Sequence, residues 1–364
     1  MNMNKTALEL QQRTLALIAR GVAQPTFDDE FNGLARVIFA FQYDQCAVYR
    51  AYCDRLKLTP DIVSHWKQIP AVPTRAFKGF TVACFPTEEA VAEFHTSGTT
   101  REKSGRHFFP TLELYDAAVR PNFVGHLLPD NARLPMMVLA PSAQEAPHSS
   151  LSHMMGVVMR EFGAVESAYY VERGTLCLER LVPALREAER TRQQVLLLGT
   201  AFAFVDLSDH LMQYNATFQM ADGSRAMDTG GFKGRSREVS KKEVHGVFEE
   251  CLGIPPTRVV NEYGMTELST QFYDQTLREG RQTDRKLAPP WSRVLIIDPN
   301  TGKEAKEGER GLIRIYDLAN LWSAMCVQTE DLGVARGDGF EILGRAAGAE
   351  VRGCSLNAES LGVS

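Results

Sequence analysis

The chain has 364 residues, of which 44% are hydrophobic and 23% charged, as in an ordinary globular protein of one large domain or two smaller ones. Its 40 basic and 45 acidic residues leave a net charge of −5, which argues against broad electrostatic binding to nucleic acid. No apolar run is long enough to predict a membrane span, and the N-terminal stretch MNMNKTALELQQRTL lacks the apolar region of a secretory signal.

The N-terminal part is predicted to be helical over residues 5–56. Apolar residues recur there at helical spacing in two stripes, Leu8, Leu10, Leu15, Leu17 and Ile18 in the first and Phe31, Leu34, Ala35, Ile38 and Phe39 in the second. The following segment, IPAVPT at 69–74, is predicted to be extended, because each proline disfavours a helical conformation at the residue before it.

Short apolar runs from residue 136 onward predict buried strands at 136–140, 195–198, 258–260 and 294–297. Helical stretches lie between them at 151–162, 174–190 and 238–251. This alternation predicts an α/β fold with a largely parallel sheet. From about residue 289 a turn at 299–302 and an alternating run at 311–316 predict a β-rich subdomain.

Seven cysteines are scattered along the chain without a CxxC pair. An odd number of unclustered cysteines favours reduced thiols in a cytoplasmic protein, without disulfides or zinc. Six of them are predicted to be core thiols: Cys46, Cys53, Cys84, Cys177, Cys251 and Cys326.

Residues 96–105, TSGTTREKSG, form a segment that suits a phosphate chain, and we call it the phosphate loop. Its glycines let backbone N–H groups approach phosphate oxygens, its hydroxyls donate further hydrogen bonds, and Lys103 adds positive charge. The spacing is not that of a Walker A loop. Taken alone, the segment also fits a solvated surface turn.

Residues 261–267, NEYGMTE, follow a predicted strand, where open α/β sheets bind ligands. Tyr263 could stack on a base, Thr266 could bond a phosphate and Glu267 could ligate Mg²⁺. The alternative is the N-terminus of a helix with Thr266 as its cap.

Together the two segments resemble the adenylate-forming superfamily of acyl-CoA synthetases, luciferases and adenylation domains. Four further motifs look like its LuxE-type acyl-protein synthetase branch: IPAVPTRAFK at 69–78, PHSSLSH at 147–153, DTGGFKG at 228–234 and RGCSL at 352–356. The resemblance covers about residues 25–361. It implies the α/β N-terminal domain of an adenylate-forming enzyme over residues 1–343, with a helical N-terminus and a β-rich part from about 289. A short hinge-like tail, 344–364, would replace the full mobile C-terminal domain.

The resemblance also implies ATP and Mg²⁺ as cofactors, with Glu267 at the metal. Tyr263 would lie against adenine beside Gly264 and Met265, and Thr266 would lie near the α-phosphate. The phosphate-loop residues assigned to ATP are Thr96, Ser97, Gly98, Thr99, Thr100, Lys103 and Ser104.

The segment TEDLG at 329–333 resembles the superfamily's TGDL, so Asp331 would bind the ribose hydroxyls. Glu330 stands where many relatives have glycine. Arg345, after Gly344, resembles the hinge residue that reaches the ribose or phosphate.

Larger superfamily members carry a catalytic lysine in their C-terminal domain, whereas no lysine follows Gly344 here. Lys103, Lys233 and Arg352 are the candidates for the replacement cation. We favour Lys233, because glycines precede it in TGGFK, although it could also be a solvated loop lysine.

In LuxE-type enzymes the activated acyl group passes to a cysteine near the C-terminus, which corresponds to Cys354 here. Arg352 lies two residues before it, and a nearby cation favours the thiolate; a structural thiol is the alternative. By the same resemblance His148 lies at the acyl pocket and could touch the substrate carboxylate, or it could be an ordinary core histidine.

These assignments predict an enzyme that converts a fatty or other hydrophobic carboxylic acid to acyl-AMP and passes the acyl group to Cys354. The group would then go to a partner such as an acyl-CoA-reductase-like protein. One rival is a ligase that uses coenzyme A or a carrier protein as acceptor. Another is a non-catalytic nucleotide-binding regulatory subunit.

Overall fold

The computed structural model describes residues 5–96, 104–230 and 241–346. Its contacts divide the chain into two units. The first unit comprises Met1–Pro121, Met265–Gln271 and Arg285–Ser364, and the second comprises Asn122–Gly264 and Phe272–Asp284. The predicted roles of residues 97–100, Lys103, Lys233, Arg352 and Cys354 concern positions outside the described residues.

The first unit begins with helices and ends with a mostly antiparallel sheet. Its helices are α1 (Lys5–Ile18), α2 (Asp28–Gln45), α3 (Ala47–Leu56) and α4 (Ala76–Gly79). Its strands are β1 (Val72–Pro73), β2 (Ala92–His95), β3 (Arg106–Phe109), β12 (Ser292–Ile297), β13 (Arg310–Asp317), β14 (Cys326–Arg336) and β15 (Gly339–Arg345). The sheet has the order β1-β14-β13-β12, with β15 also paired to β14, while β2 and β3 form a separate hairpin. The predicted β-rich part is therefore confirmed.

The N-terminal helices pack one face each against this unit's core. In α1 the buried residues are Ala7, Leu10, Gln11, Thr14, Leu17 and Ile18, at the spacing of a single helical face. The predicted stripe was wrong at Leu8, which is 38% exposed because it lies off that face.

The proline-rich segment 69–74 is extended, as predicted, and it is held by the far end of the chain. Val72 and Pro73 pair in parallel with Val327 and Gln328 of β14. The N–H of Thr74 then donates to the Gln328 carbonyl at 3.1 Å. Helix α4 follows at once, so it begins beside β14.

The second unit is a parallel α/β layer. Its strands are β4 (Met136–Leu139), β5 (Ala168–Tyr169), β6 (Val171–Glu172), β7 (Thr175–Leu176), β8 (Leu196–Thr200), β9 (Arg225–Thr229), β10 (Val259–Tyr263) and β11 (Phe272–Tyr273). Its helices are α6 (Ser150–Phe162), α7 (Leu178–Thr191), α8 (Ala201–Gln213), α9 (Lys241–Leu252) and α10 (Thr276–Glu279), while α5 (Glu113–Leu127) runs into it from the first unit.

The main sheet of the second unit has the order β11-β10-β9-β8-β4-β5. All its pairings are parallel except that of β10 with β11. The central strands are buried along their length, as expected for a parallel sheet covered on both faces. The predicted α/β fold is confirmed. Helix α7 begins later than predicted because Thr175 and Leu176 pair with β6 in a hairpin.

The six described cysteines are all buried, which confirms the prediction that they are core thiols. Among the described helices we find none with the length and apolar character needed to cross a membrane.

Candidate active site

Thr96 and Gly105, at the two ends of the phosphate loop, are joined by hydrogen bonds, and we call this pair of residues the neck of the loop. The N–H of Thr96 donates to the Gly105 carbonyl at 2.9 Å, and the N–H of Gly105 donates to the Thr96 hydroxyl at 2.8 Å. A Cβ on Gly105 would lie 3.1 Å from the Thr96 methyl group and 3.2 Å from the Phe77 carbonyl carbon. Glycine therefore allows the neck to pack closely against α4.

Thr266 is fastened to the β2–β3 hairpin that carries this neck. Its hydroxyl donates to the His95 carbonyl at 3.1 Å, and its own carbonyl lies 2.7 Å from Nδ1 of His107. Burial lowers the pKa of His107 to about 4, although the bond to Thr266 raises it. His107 is thus neutral and carries its proton on Nδ1, which must donate to Thr266.

Residues 265–268 form a turn rather than a helix, with the N–H of Leu268 bonded to the Met265 carbonyl at 3.1 Å. The alternative interpretation of Thr266 as a helix cap was therefore wrong.

Glu267 is buried next to other carboxylates of the first unit. Its pKa is raised to about 7, mainly by burial and also by the charges of Asp331 and Glu330, while a main-chain hydrogen bond and Lys78 act in the opposite direction. A buried carboxyl in a negative field is a suitable place for a cation. Mg²⁺ commonly takes one or two protein carboxylates and completes its shell with phosphates and water. Glu267 is therefore suited to the predicted role of a Mg²⁺ ligand.

Asp317 fixes the turn that follows Glu267. Its carboxylate accepts the Ser269 N–H at 2.9 Å, the Thr270 hydroxyl at 2.7 Å and the Ala319 N–H at 3.0 Å. Burial raises the pKa of Asp317 to about 6, although these hydrogen bonds lower it. The end of β13 thus holds the chain just beyond the candidate metal ligand.

Strand β14 presents Asp331 next to Arg345 of β15, with Arg345 Nε 3.5 Å from Asp331 Oδ1. The Asp331 side chain is 19% exposed and that of Arg345 is 54% exposed, so both are accessible. Glu330, at the position where many relatives have glycine, forms an ion pair with Arg75 at the start of α4. Glu330, which stands in place of glycine, thus has a specific partner in Arg75.

In the second unit, predicted residues lie at the carboxyl ends of parallel strands, where open α/β sheets bind ligands. Tyr263 ends β10 and is half-buried, with its ring 6.2 Å from that of Phe272; Gly264, exposed, follows it. Thr229 ends β9 and its hydroxyl donates to the buried Glu262 carboxylate.

A buried polar network lies behind these ends. Asn261 Nδ2 donates to Asp228 Oδ2 at 2.8 Å, and His245 Nε2 lies 3.5 Å from Asp228 Oδ1. Gln282 Nε2 lies 3.2 Å from His245 Nδ1. The network fixes the last residues of β9, from which the chain continues toward Lys233.

His148 is exposed just before α6, and Ser149 caps that helix by accepting the Ser152 N–H at 3.1 Å. A cavity of about 400 Å³ lies along the same helix and is lined by His153, Arg160 and Tyr169 among others. His148 does not line it. The two histidines of the PHSSLSH motif therefore have different surroundings.

Within the first unit, the structure places Thr96, Thr266, Glu267, Asp331 and Arg345 on a connected set of strands and turns, with Met265 and Ser104 beside them in the chain. Tyr263, Gly264 and His148 belong to the second unit.

The family model described as acyl-protein synthetase, LuxE, matches residues 29–361. The chain belongs to the LuxE family. It is accordingly an acid–thiol ligase. It is 21% identical over 337 residues to the long-chain-fatty-acid–luciferin-component ligase of Aliivibrio fischeri, covering 89% of this chain and 86% of the relative. For the Vibrio harveyi ligase of the same name the identity is 22% over 336 residues, with 89% and 86% covered.

Solved structures of adenylate-forming ligases share the fold of this LuxE-family chain. One is 2-hydroxyisobutyryl-CoA ligase in complex with 2-HIB-AMP and CoA, with a TM-score of 0.66 at 15% identity over 87% of this chain and 69% of that chain. Another is ATP-bound MatB from Rhodopseudomonas palustris, with a TM-score of 0.52 at 17% identity over 79% and 54%. The predicted fold class is therefore confirmed.

Several residues of this LuxE-family site were not predicted from the sequence. His107 and Asp317 hold the segment around Glu267, and Arg75 pairs with Glu330. Lys78 was noticed only as part of a motif, although its charge acts on Glu267. These roles depend on contacts between residues distant in sequence, so the spacing of apolar residues does not predict them. Only Arg75 and Lys78 lie in a motif that the sequence analysis named, IPAVPTRAFK.

Proposed function

We propose that this LuxE-family chain uses ATP to convert a carboxylic acid to an acyl-adenylate and then passes the acyl group to a thiol. The observation that carries the proposal is the arrangement in the first unit. There hydrogen bonds close the neck of the phosphate loop and join Thr266 to the β2–β3 hairpin, and the charge of Asp331 acts on Glu267, the next residue after Thr266. Such a set can bind a polyphosphate, a divalent cation and a ribose.

In the first step a carboxylate oxygen of the acid attacks the α-phosphorus of ATP, the bond to the β-phosphate oxygen breaks, and pyrophosphate leaves. The protein's task is to hold the reactants and to neutralise the charge of the phosphates. The phosphate loop binds the triphosphate, Thr266 is oriented at the α-phosphate by His95 and His107, and Asp331 accepts from the ribose hydroxyls.

Glu267 would hold Mg²⁺, which when bound neutralises negative charge on the phosphates. Asp331 and Glu330 are close enough to add to the negative field at this position.

In the second step a thiolate attacks the acyl carbon, and AMP leaves with the electron pair of the anhydride bond. We propose Cys354 as the thiol, with a subsequent transfer to a partner such as an acyl-CoA-reductase-like protein in the cytoplasm. Because the curated relatives are named as long-chain-fatty-acid ligases, we propose a fatty or other hydrophobic acid as substrate. If the acyl group is instead found on coenzyme A or on a carrier protein, that thiol replaces Cys354 as the proposed acceptor.

The adenylation step is tested by ATP–pyrophosphate exchange with a panel of acids that differ in chain length and polarity. We expect exchange that depends on an added acid and on Mg²⁺ and that is strongest with a hydrophobic acid. ATP binding without exchange for any acid would instead favour a regulatory subunit. Addition of coenzyme A or carrier protein, followed by product analysis, identifies the acceptor.

A further inference from the structure

The candidate adenylation site of the first unit is rich in negative charge. The charges of Asp331 and Glu330 act on Glu267, and the proposed substrate adds the charge of a triphosphate. Adenylation brings a further negative group, the acid's carboxylate, to the α-phosphate. A cation near these groups, in addition to the proposed Mg²⁺, would therefore stabilise the charge that gathers in the reaction.

Helix α4 begins beside the strand that carries two of these carboxylates. The parallel pairing of Val72 and Pro73 with β14, and the bond from the Thr74 N–H to Gln328, bring the chain beside β14 just before the helix starts. The ion pair of Arg75 with Glu330 then fixes the first turn of α4 next to Asp331.

The other side of α4 packs against the neck of the phosphate loop. The Phe77 carbonyl carbon would lie only 3.2 Å from a Cβ on Gly105, and the Phe77 ring lies 5.7 Å from the ring of His107. His107 in turn holds Thr266. Helix α4 is thus placed between the proposed ribose-binding strand and the neck of the phosphate loop.

Lys78 lies on the single turn that makes these contacts. Its N–H donates to the Arg75 carbonyl at 3.0 Å, and its side chain is half-buried. Two cations therefore lie at this turn: Arg75 forms an ion pair with Glu330, and the charge of Lys78 acts on Glu267.

We propose that Lys78 supplies positive charge to the phosphates of ATP during adenylation, as a binding and catalytic residue outside the phosphate loop. This inference rests on the proposed function. It also assigns the role of an added cation to a residue other than Lys233, which was favoured from the sequence. An ammonium group on a flexible stem suits this task, because it can follow the charge as it moves from the triphosphate to pyrophosphate.

The test compares Lys78→Gln, which removes the charge, with Lys78→Arg, which keeps it. Lys67→Gln is the matched control, since Lys67 belongs to the same unit, is exposed and pairs with Glu304. Binding of MgATP and of adenosine is measured by calorimetry or by competition, together with acid-dependent pyrophosphate exchange. Adenosine lacks phosphates, so it reports whether the rest of the site is intact.

We expect Lys78→Gln to weaken MgATP binding about tenfold and to lower exchange by at least about tenfold, while adenosine binding stays within about twofold of wild type. Lys78→Arg should recover most of both losses, and Lys67→Gln should behave as wild type.

MgATP binding by Lys78→Gln at wild-type strength would overturn the proposal. So would an equal loss of adenosine affinity, which indicates a structural role, or a failure of Lys78→Arg to recover either loss. If wild-type protein binds MgATP but shows no exchange with any acid, the proposed function fails; the comparison of MgATP with adenosine still decides the role of Lys78.

Discussion

Replacing Asp317 by asparagine should change how the stability of the protein depends on pH. Asp317 is fully buried at the end of β13, and its pKa is raised from 3.8 to about 6, because burial outweighs the three hydrogen bonds that it accepts. A raised pKa means that the folded protein holds the proton more tightly than the unfolded chain does. Ionisation of Asp317 therefore costs stability as the pH rises.

The size of this cost follows from the two pKa values. Below about pH 4 the carboxyl is protonated in both states and there is no penalty, whereas above about pH 6 the penalty is complete. It amounts to about 3 kcal/mol, at about 1.4 kcal/mol per pH unit between 3.8 and about 6. Asparagine does not titrate. Its amide NH2 group would face the Ser269 N–H, so that two donors meet and the hydrogen bond is lost. This costs roughly 1–3 kcal/mol at every pH.

The assay is urea unfolding of wild type and Asp317→Asn at several pH values between 4 and 7.5. The free energy of unfolding of the variant, relative to wild type, should rise by about 3 kcal/mol across this range. Asp298→Asn is the control, because the Asn300 N–H and the Thr301 hydroxyl hold the pKa of Asp298 below its usual value. The free energy of unfolding of this variant, relative to wild type, should therefore fall as the pH rises. A constant difference between Asp317→Asn and wild type would refute the reasoning.

Glu267→Gln removes the proposed metal ligand and Lys103→Ala removes charge from the phosphate loop. Each should lower acid-dependent exchange at least roughly tenfold, about 1.4 kcal/mol of transition-state stabilisation, and wild-type exchange in both would contradict these assignments. Asp331→Ala should weaken ATP binding in calorimetry, whereas Asp338→Ala should not, because Asp338 is exposed and pairs with Arg285; equal affinities would count against Asp331. His107→Ala should lower the free energy of unfolding by about 2–4 kcal/mol, since it removes a buried ring and its bond to Thr266; a urea titration that shows no loss would remove this anchoring role.

Local patterns in the sequence were sufficient for most of the secondary structure. The apolar runs that predicted strands at 136–140 and 195–198 became β4 and β8, which pair with each other in parallel. Helix α6 and its serine cap were also predictable, because the hydroxyl, the helical spacing and the preceding proline lie within a few residues. The helix over 174–190 began later than predicted, since a short hairpin replaces its first turn.

The contacts that shape the candidate site could not be predicted in this way. The ion pair of Arg75 with Glu330 joins residues 255 positions apart, and Asp317 reaches back 48 positions to Ser269. Neither pair leaves a periodic signal, because each depends on how distant strands align. The division of NEYGMTE between two units after Gly264 is likewise a property of the contacts and not of the motif. The domain boundary at residue 344 and the role of the tail stay predictions.

We propose that ATP-dependent activation delivers an acyl group to a thiol of the protein itself. The most direct measurement is a single-turnover reaction with labelled acid and ATP, in which pyrophosphate release and protein-bound label are followed in the same sample. Wild type should release pyrophosphate and retain label that neutral hydroxylamine removes. Cys354→Ser should still release pyrophosphate in the first turnover but should carry no hydroxylamine-labile label. Wild-type labelling of Cys354→Ser through a hydroxylamine-labile bond would contradict the account, as would a wild-type protein that never labels but forms acyl-CoA freely.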